Sequence, residues 1–179
     1  AESGALPSDV VLGLIAAGLF AGLLWWAYFD RLQPGLEWRG EQLDGQQRGW
    51  YAVDVYTYLH AVIVSGVIIS AAALEEIILH PSDPVPFAFR VMLAGGLVMF
   101  LLGTVACVGR AFRVVVPERI VASVVIVAIV AIGGSWSGVA LLAVLDVVLF
   151  AVLIAEYLRV ERSRSPNASG DAEPAGETE

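Results

Sequence analysis

The chain has 179 residues, 58% of them hydrophobic and 16% charged, with a formal net charge of −8. That balance excludes an ordinary water-soluble domain, because several apolar runs reach the roughly 20 residues needed to cross a hydrocarbon core of about 30 Å. The acidic balance and the lack of any basic patch exclude a nucleic-acid partner.

In lipid every backbone polar group must be bonded internally, so the apolar runs are read as helices. The period-two alternation of a membrane barrel is absent. The expected fold class is therefore all-α: a polytopic transmembrane helix bundle of about five spans over residues 1–160. Residues 161–179, polar and acidic, are expected to form a disordered tail.

The N-terminal "AESGALPSDV" has no Met and no basic stretch, and the apolar run after it is too long for a signal-peptide core. The missing Met points to processing or to a piece of a longer chain. A first span is predicted from Ser8 to Phe29, with Gly18 and Gly22 in a GxxxG step suited to close helix packing. A loop follows with Arg31, Arg39, Arg48, Trp50 and Tyr51. A second span runs from Ala52 to Leu79, about 28 residues or roughly 42 Å of helix, so it must tilt or protrude. Gly66 and Ser70 form its small-residue step. The third, fourth and fifth spans are predicted at Phe87–Val108, Val114–Ile132 and Ser137–Leu158. Gly96 and Gly103 lie seven residues apart in the third.

All ten cations are arginine, and nine of them fall in alternate loops and the tail; Arg90 is the exception. The positive-inside rule places those segments in the cytoplasm, with the N-terminus outside and the C-terminus inside.

Polar residues within the spans are the candidate site. His60 lies two turns inside the second span, with Tyr56 four residues before it on a common helical face. A neutral imidazole there needs a donor and an acceptor. It is either a structural hydrogen-bonding group, to Tyr56 or to a neighbouring helix, or a proton-carrying or ligand-binding one. Asp54 and Tyr58 form a second pair four apart. Asp146 sits near the middle of the fifth span in "LLAVLDVVLFAVL". Charged, it would cost about 2.5–3.5 kcal/mol on insertion scales. It must be protonated, paired, or facing a wet cavity. Glu75, Glu76 and His80 are expected at the outer surface, solvated. Glu156 and Asp30 are expected at inner ends, in exposed arginine pairs that contribute little. The lone Cys107 excludes an intramolecular disulfide, and no metal-ligand spacing occurs. There is no Walker loop, HExxH or dinucleotide fingerprint, and "GSWSG" has Trp where a nucleophile elbow needs Ser. No catalytic activity and no cofactor are expected.

"LWWAYFDR", "YTYLHAVIVSGVIISAAALEEIILHP" and "LAGGLVMFLLG" followed by Arg110 and Arg113 resemble the bacterial low temperature requirement A family. The resemblance covers roughly Leu12 to Arg159 and matches the C-terminal half of longer family members. Trp25, Trp26, Tyr28, Asp30, Tyr56, Tyr58, His60 and His80 are its motif positions. It implies a multi-pass protein of the bacterial plasma membrane with a link to growth in the cold, and it names no ligand. Two functions are expected from these observations. One is transport-related, with His60 and Asp146 on a polar intramembrane path and Asp54 and the tyrosines at its mouth. The other is a structural or assembly module of a larger membrane protein or a homo-oligomer. The lipid bilayer is the partner common to both.

Overall fold

The computed structural model describes residues 7–30 and 32–164, with side chains described as far as residue 162. It is all-helical, with no strand among the described residues. Five helical stretches are long and apolar enough to cross a membrane. They are built from seven α-helices: α1 (Ser8–Phe29), α2 (Leu32–Glu41), α3 (Gly45–Val53), α4 (His60–Leu79), α5 (Phe87–Phe112), α6 (Pro117–Ile132) and α7 (Gly138–Arg164).

Proline opens three of the spans. Pro7 and Pro86 cap α1 and α5, and Pro117 stands at the start of α6. The first N–H groups of a helix have no intrahelical acceptor, so a residue without an N–H costs nothing there. Pro117 also explains why α6 starts later than the Val114 expected from hydropathy. A residue before proline is pushed out of the α region, and Val116 is extended at φ −102° and ψ 90°. At the end of α4, Pro81 follows His80, whose φ of −130° has already left the helix.

The first arginine-bearing loop is not irregular. It folds into α2 and α3, short helices too polar to be read as apolar runs. Leu32 and Leu36, one turn apart, are buried against the bundle. The buried Tyr51 on α3 donates its hydroxyl to the Leu36 carbonyl at 2.9 Å. A π-helical turn, Asp54–Leu59, joins α3 to α4 without a break, so the helix runs 35 residues from Gly45 to Leu79. The last helix likewise passes the expected boundary at residue 160 and reaches Arg164. The rest of the expected tail lies outside the described residues.

Small residues set the tightest helix crossing, between α4 and α5. A Cβ on Gly66 would lie 2.5 Å from the Gly96 carbonyl oxygen, and one on Gly96 would lie 2.6 Å from that of Gly66. A Cβ on Gly103 would meet Ile63 at 2.7 Å. Close backbone approach of this kind supplies much of helix association in lipid. The GxxxG step of α1 behaves differently. Nothing lies within 4 Å of a Cβ on Gly18 or Gly22, so among the described residues no helix seats on that step.

The end of the bundle away from the arginine-rich loops is tied through backbone bonds. Gly138 donates to the Asp83 carbonyl at 3.0 Å and Val139 to that of Pro81 at 3.1 Å. The Ser82 hydroxyl donates to Asp9 at 3.0 Å.

Candidate functional site

The most completely bonded polar group is one the sequence reading placed at the surface. Glu156 and Arg119 do pair, as a glutamate at a helix end among arginines suggests, but the pair is buried. Arg119 is 5% exposed and Glu156 9%. Arg119 donates Nε–H to Glu156 Oε1 at 2.6 Å and Nη2–H to Oε2 at 2.9 Å, a two-pronged contact. Its Nη1 donates to the Thr104 hydroxyl at 2.6 Å, and its Nη2 also reaches the Ala27 carbonyl at 3.3 Å. Thr104 in turn donates to the Leu101 carbonyl at 2.6 Å. One guanidinium thus ties α1, α5, α6 and α7. The space beside it is only about 20 Å³, the size of a single water site, so this group is a clamp rather than a ligand site. The sequence did carry a signal. Arg119 and Ser123 stand one turn apart on the face of α6 that also carries Ala122 and Ile126, and a polar pair in register with an apolar stripe is a buried pair. Ser123 closes that turn by donating to the Arg119 carbonyl at 2.8 Å.

His60 finds its partner on a neighbouring helix. Its Nδ1 lies 3.2 Å from the Tyr28 hydroxyl of α1, not against Tyr56. Tyr56 stands in the π-helical turn and is 41% exposed. Tyr56 instead meets Tyr51 edge-on at 6.4 Å, and Tyr58 is exposed. Beyond the Tyr28–His60 pair lies a cavity of about 370 Å³ between α1 and α4. Its other walls are apolar, among them Phe20, Leu24, Ile63, Val67 and Phe100.

Asp146 is 3% exposed, and neither carboxyl oxygen has a hydrogen-bond partner among the described residues. It faces a second apolar cavity, of about 440 Å³, between α1 and α7, with Leu12, Leu19, Leu23, Ala143 and Phe150 in its wall. The two cavities lie on different faces of α1 and share no lining residue. His60 and Asp146 are therefore not brought together.

Asp54 is held by Arg110, whose Nε donates at 2.8 Å, and the pair is about 40% exposed. It lines neither of the two apolar cavities. Of the motif positions, Trp25 is exposed and stacks on Phe29 at 5.5 Å. Trp26 packs near Phe150 at 6.4 Å. Asp30 is exposed at the end of α1, as expected. His80 is exposed beyond α4, and Glu76 and Asp83 share its pocket. Among the described residues, no three His, Cys, Asp or Glu side chains come close enough to hold a metal ion.

Fold and site together define a polytopic helical membrane protein with one saturated ion-pair clamp and two separate apolar cavities, each carrying an ionisable group. The chain belongs to the bacterial low temperature requirement A family, whose model matches residues 2–154. It is also similar to an uncharacterized protein of Rhizobium meliloti (strain 1021), with 26% identity over 142 residues, 79% of this chain and 34% of the relative. The matched segment is thus about a third of that relative's length. No solved structure matches the chain.

Proposed function

We propose that these helices are an assembly module of a larger protein of the bacterial plasma membrane, with the arginine-rich end in the cytoplasm. The observation that carries this reading is Asp146. A carboxyl group buried in apolar surroundings with no hydrogen-bond partner carries the full desolvation penalty, and a donor from outside the chain would remove it. The groove in front of it is rimmed by exposed Leu12, Ile15, Leu19 and Val147. The open Gly18–Gly22 step runs along the same helix, and such steps admit a second helix closely. The occupant is a transmembrane helix bearing a hydrogen-bond donor. About two thirds of the similar Rhizobium protein lies outside the matched segment, which leaves room in a protein of that length for such a helix. In this reading the link to growth in the cold works through membrane organisation.

The test is a photo-crosslinking residue at Leu19 or Val147, in membranes of the native host, with the products mapped by mass spectrometry. Adducts to a transmembrane peptide lying outside residues 1–179 are expected, and Asp146→Leu should reduce their yield several-fold. Adducts confined to lipid, or to a second copy of these same residues, would overturn it.

A second, transport-related reading rests on the Tyr28–His60 cavity. Its volume of about 370 Å³ lies within the range of small-molecule sites, which are apolar with a few placed polar groups. An amphiphile with its polar group at His60 fits that chemistry. Ala71→Phe, which fills the cavity, and His60→Ala, which removes its polar end, should both abolish binding or flux of such a compound. Flux unchanged in both folded variants would sink this reading.

A further inference from the structure

A third concavity, at the arginine-rich end, is chemically unlike the other two. It encloses about 750 Å³ between α2, α3 and the end of α5, and its wall includes Arg39, Arg110 and Arg113 but no carboxylate. Asp54 offsets one of the three charges by binding Arg110 Nε at 2.8 Å. Arg39 spends its Nε on the Ala111 carbonyl at 3.0 Å. A guanidinium has five N–H donors, and among the described residues the terminal nitrogens of both are in no hydrogen bond, while the Arg110 guanidinium also lies over the Tyr51 ring at 5.7 Å. Arg113 sits at φ 55° in the left-handed region, where a non-glycine residue is uncommon. That backbone ends α5 through an Arg113 N–H bond to the Gly109 carbonyl at 3.0 Å, and it keeps a third cation beside the other two. Glycine is the usual residue at such a helix end.

Like charges gathered in one concavity repel, and an anion bound among them relieves the repulsion. Planar guanidinium forks match phosphate oxygens in pairs. The remaining wall says what the phosphate is attached to. Trp38 and Trp50 are 57% and 63% exposed at the rim, and indole rings settle at headgroup depth. Trp38 stacks on Phe112 at 6.4 Å with the rings 17° apart. Val114 and Val115, which follow Arg113 in the chain, are exposed and apolar as well. We propose that this cavity is a binding site for the phosphate headgroup of an anionic glycerophospholipid of the leaflet at the arginine-rich end, with the indoles and Phe112 against the glycerol and first acyl carbons.

Native mass spectrometry of the full chain in detergent tests this, with phosphatidylglycerol, phosphatidylcholine and inorganic phosphate as probes. Phosphatidylglycerol should be retained in preference to phosphatidylcholine, and inorganic phosphate should not displace it. Arg113→Gln and Arg39→Gln should each weaken retention by about fivefold, the effect of one cation near an anionic surface. Arg48→Gln removes the same charge from the same end of the bundle without touching the cavity and should leave retention unchanged. Among the described residues Arg113 has no side-chain bond to lose, so its variant reads binding rather than folding. Equal retention of both lipids would overturn the proposal, as would equal losses in the Arg48 and Arg113 variants, which mark a diffuse charge effect. Displacement by inorganic phosphate alone would overturn the lipid as the source of the headgroup.

Discussion

Glu156→Ala is expected to cost the folded bundle about 3–5 kcal/mol, the range for removing one partner of a buried ion pair. The substitution leaves the Arg119 guanidinium charged, 5% exposed, and bonded only to neutral oxygens of Thr104 and Ala27. Replacing both partners, as in Arg119→Met with Glu156→Leu, should recover most of that loss. No unpaired charge then remains, and the Thr104 hydroxyl keeps its bond to the Leu101 carbonyl. The Arg110–Asp54 pair is the contrast. With its side chains 42% and 40% exposed, it should yield no more than about 1 kcal/mol in Asp54→Asn. Thermal unfolding in detergent, followed by loss of the monodisperse species, orders the three variants. A Glu156→Ala protein as stable as its parent would mean that the clamp holds nothing.

Gly66→Ala is the second large effect. The added carbon would sit 2.5 Å from the Gly96 carbonyl oxygen and 2.7 Å from the Phe100 nitrogen. Both obstacles are backbone, so no side chain can swing aside and α4 must move away from α5. Overpacking of this kind costs about 1–3 kcal/mol, and Gly66→Val should leave no folded bundle. Gly18→Ala and Gly22→Ala, with open space at the Cβ, should not lower the melting temperature of the isolated chain. In native membranes they should weaken crosslinking from Leu19 if that face carries a partner helix. Equal melting temperatures for Gly66→Ala and Gly18→Ala would refute the assigned crossing.

Span number was legible because bilayer thickness imposes a length on apolar runs, and α1 begins and ends where hydropathy alone puts it. The small-residue faces of α4 and α5 were legible too, since Gly66, Ser70, Gly96 and Gly103 stand at helical spacing, but which helices those faces join was not. Helices α2 and α3 were not. Their composition is that of a loop, and only the contacts of Leu36 and Tyr51 with the bundle make them helical. Of the candidate site residues, Asp146 lies buried as a mid-span acid should. The partner of His60 was unreadable by spacing, because Tyr28 lies 32 positions earlier on another helix. The burial of Arg119 and Glu156 was hidden for a related reason. Each stands near a helix end rich in arginine, where exposure is the default, and only the convergence of four helices takes them out of solvent.

The turn from Asp54 to Leu59 has one further consequence. A π-helical turn is an α-helix with a residue to spare, so this segment takes up one extra position within a single turn. It fixes the angle at which Tyr51, and with it α2 and the arginine-lined concavity, is presented relative to His60 and the spanning part of the same helix. Deleting one residue there would restore an unbroken α-helix and leave the two halves nearly in their present phase, whereas deleting one from the α-helix on either side would turn them against each other by about 100°, the angle one residue subtends. A chain shorter by a single position in this segment would keep its hydropathy profile unchanged. Its arginine-rich end would also stay aligned with the helices beside it, so the spare residue is one the packing of both halves tolerates losing.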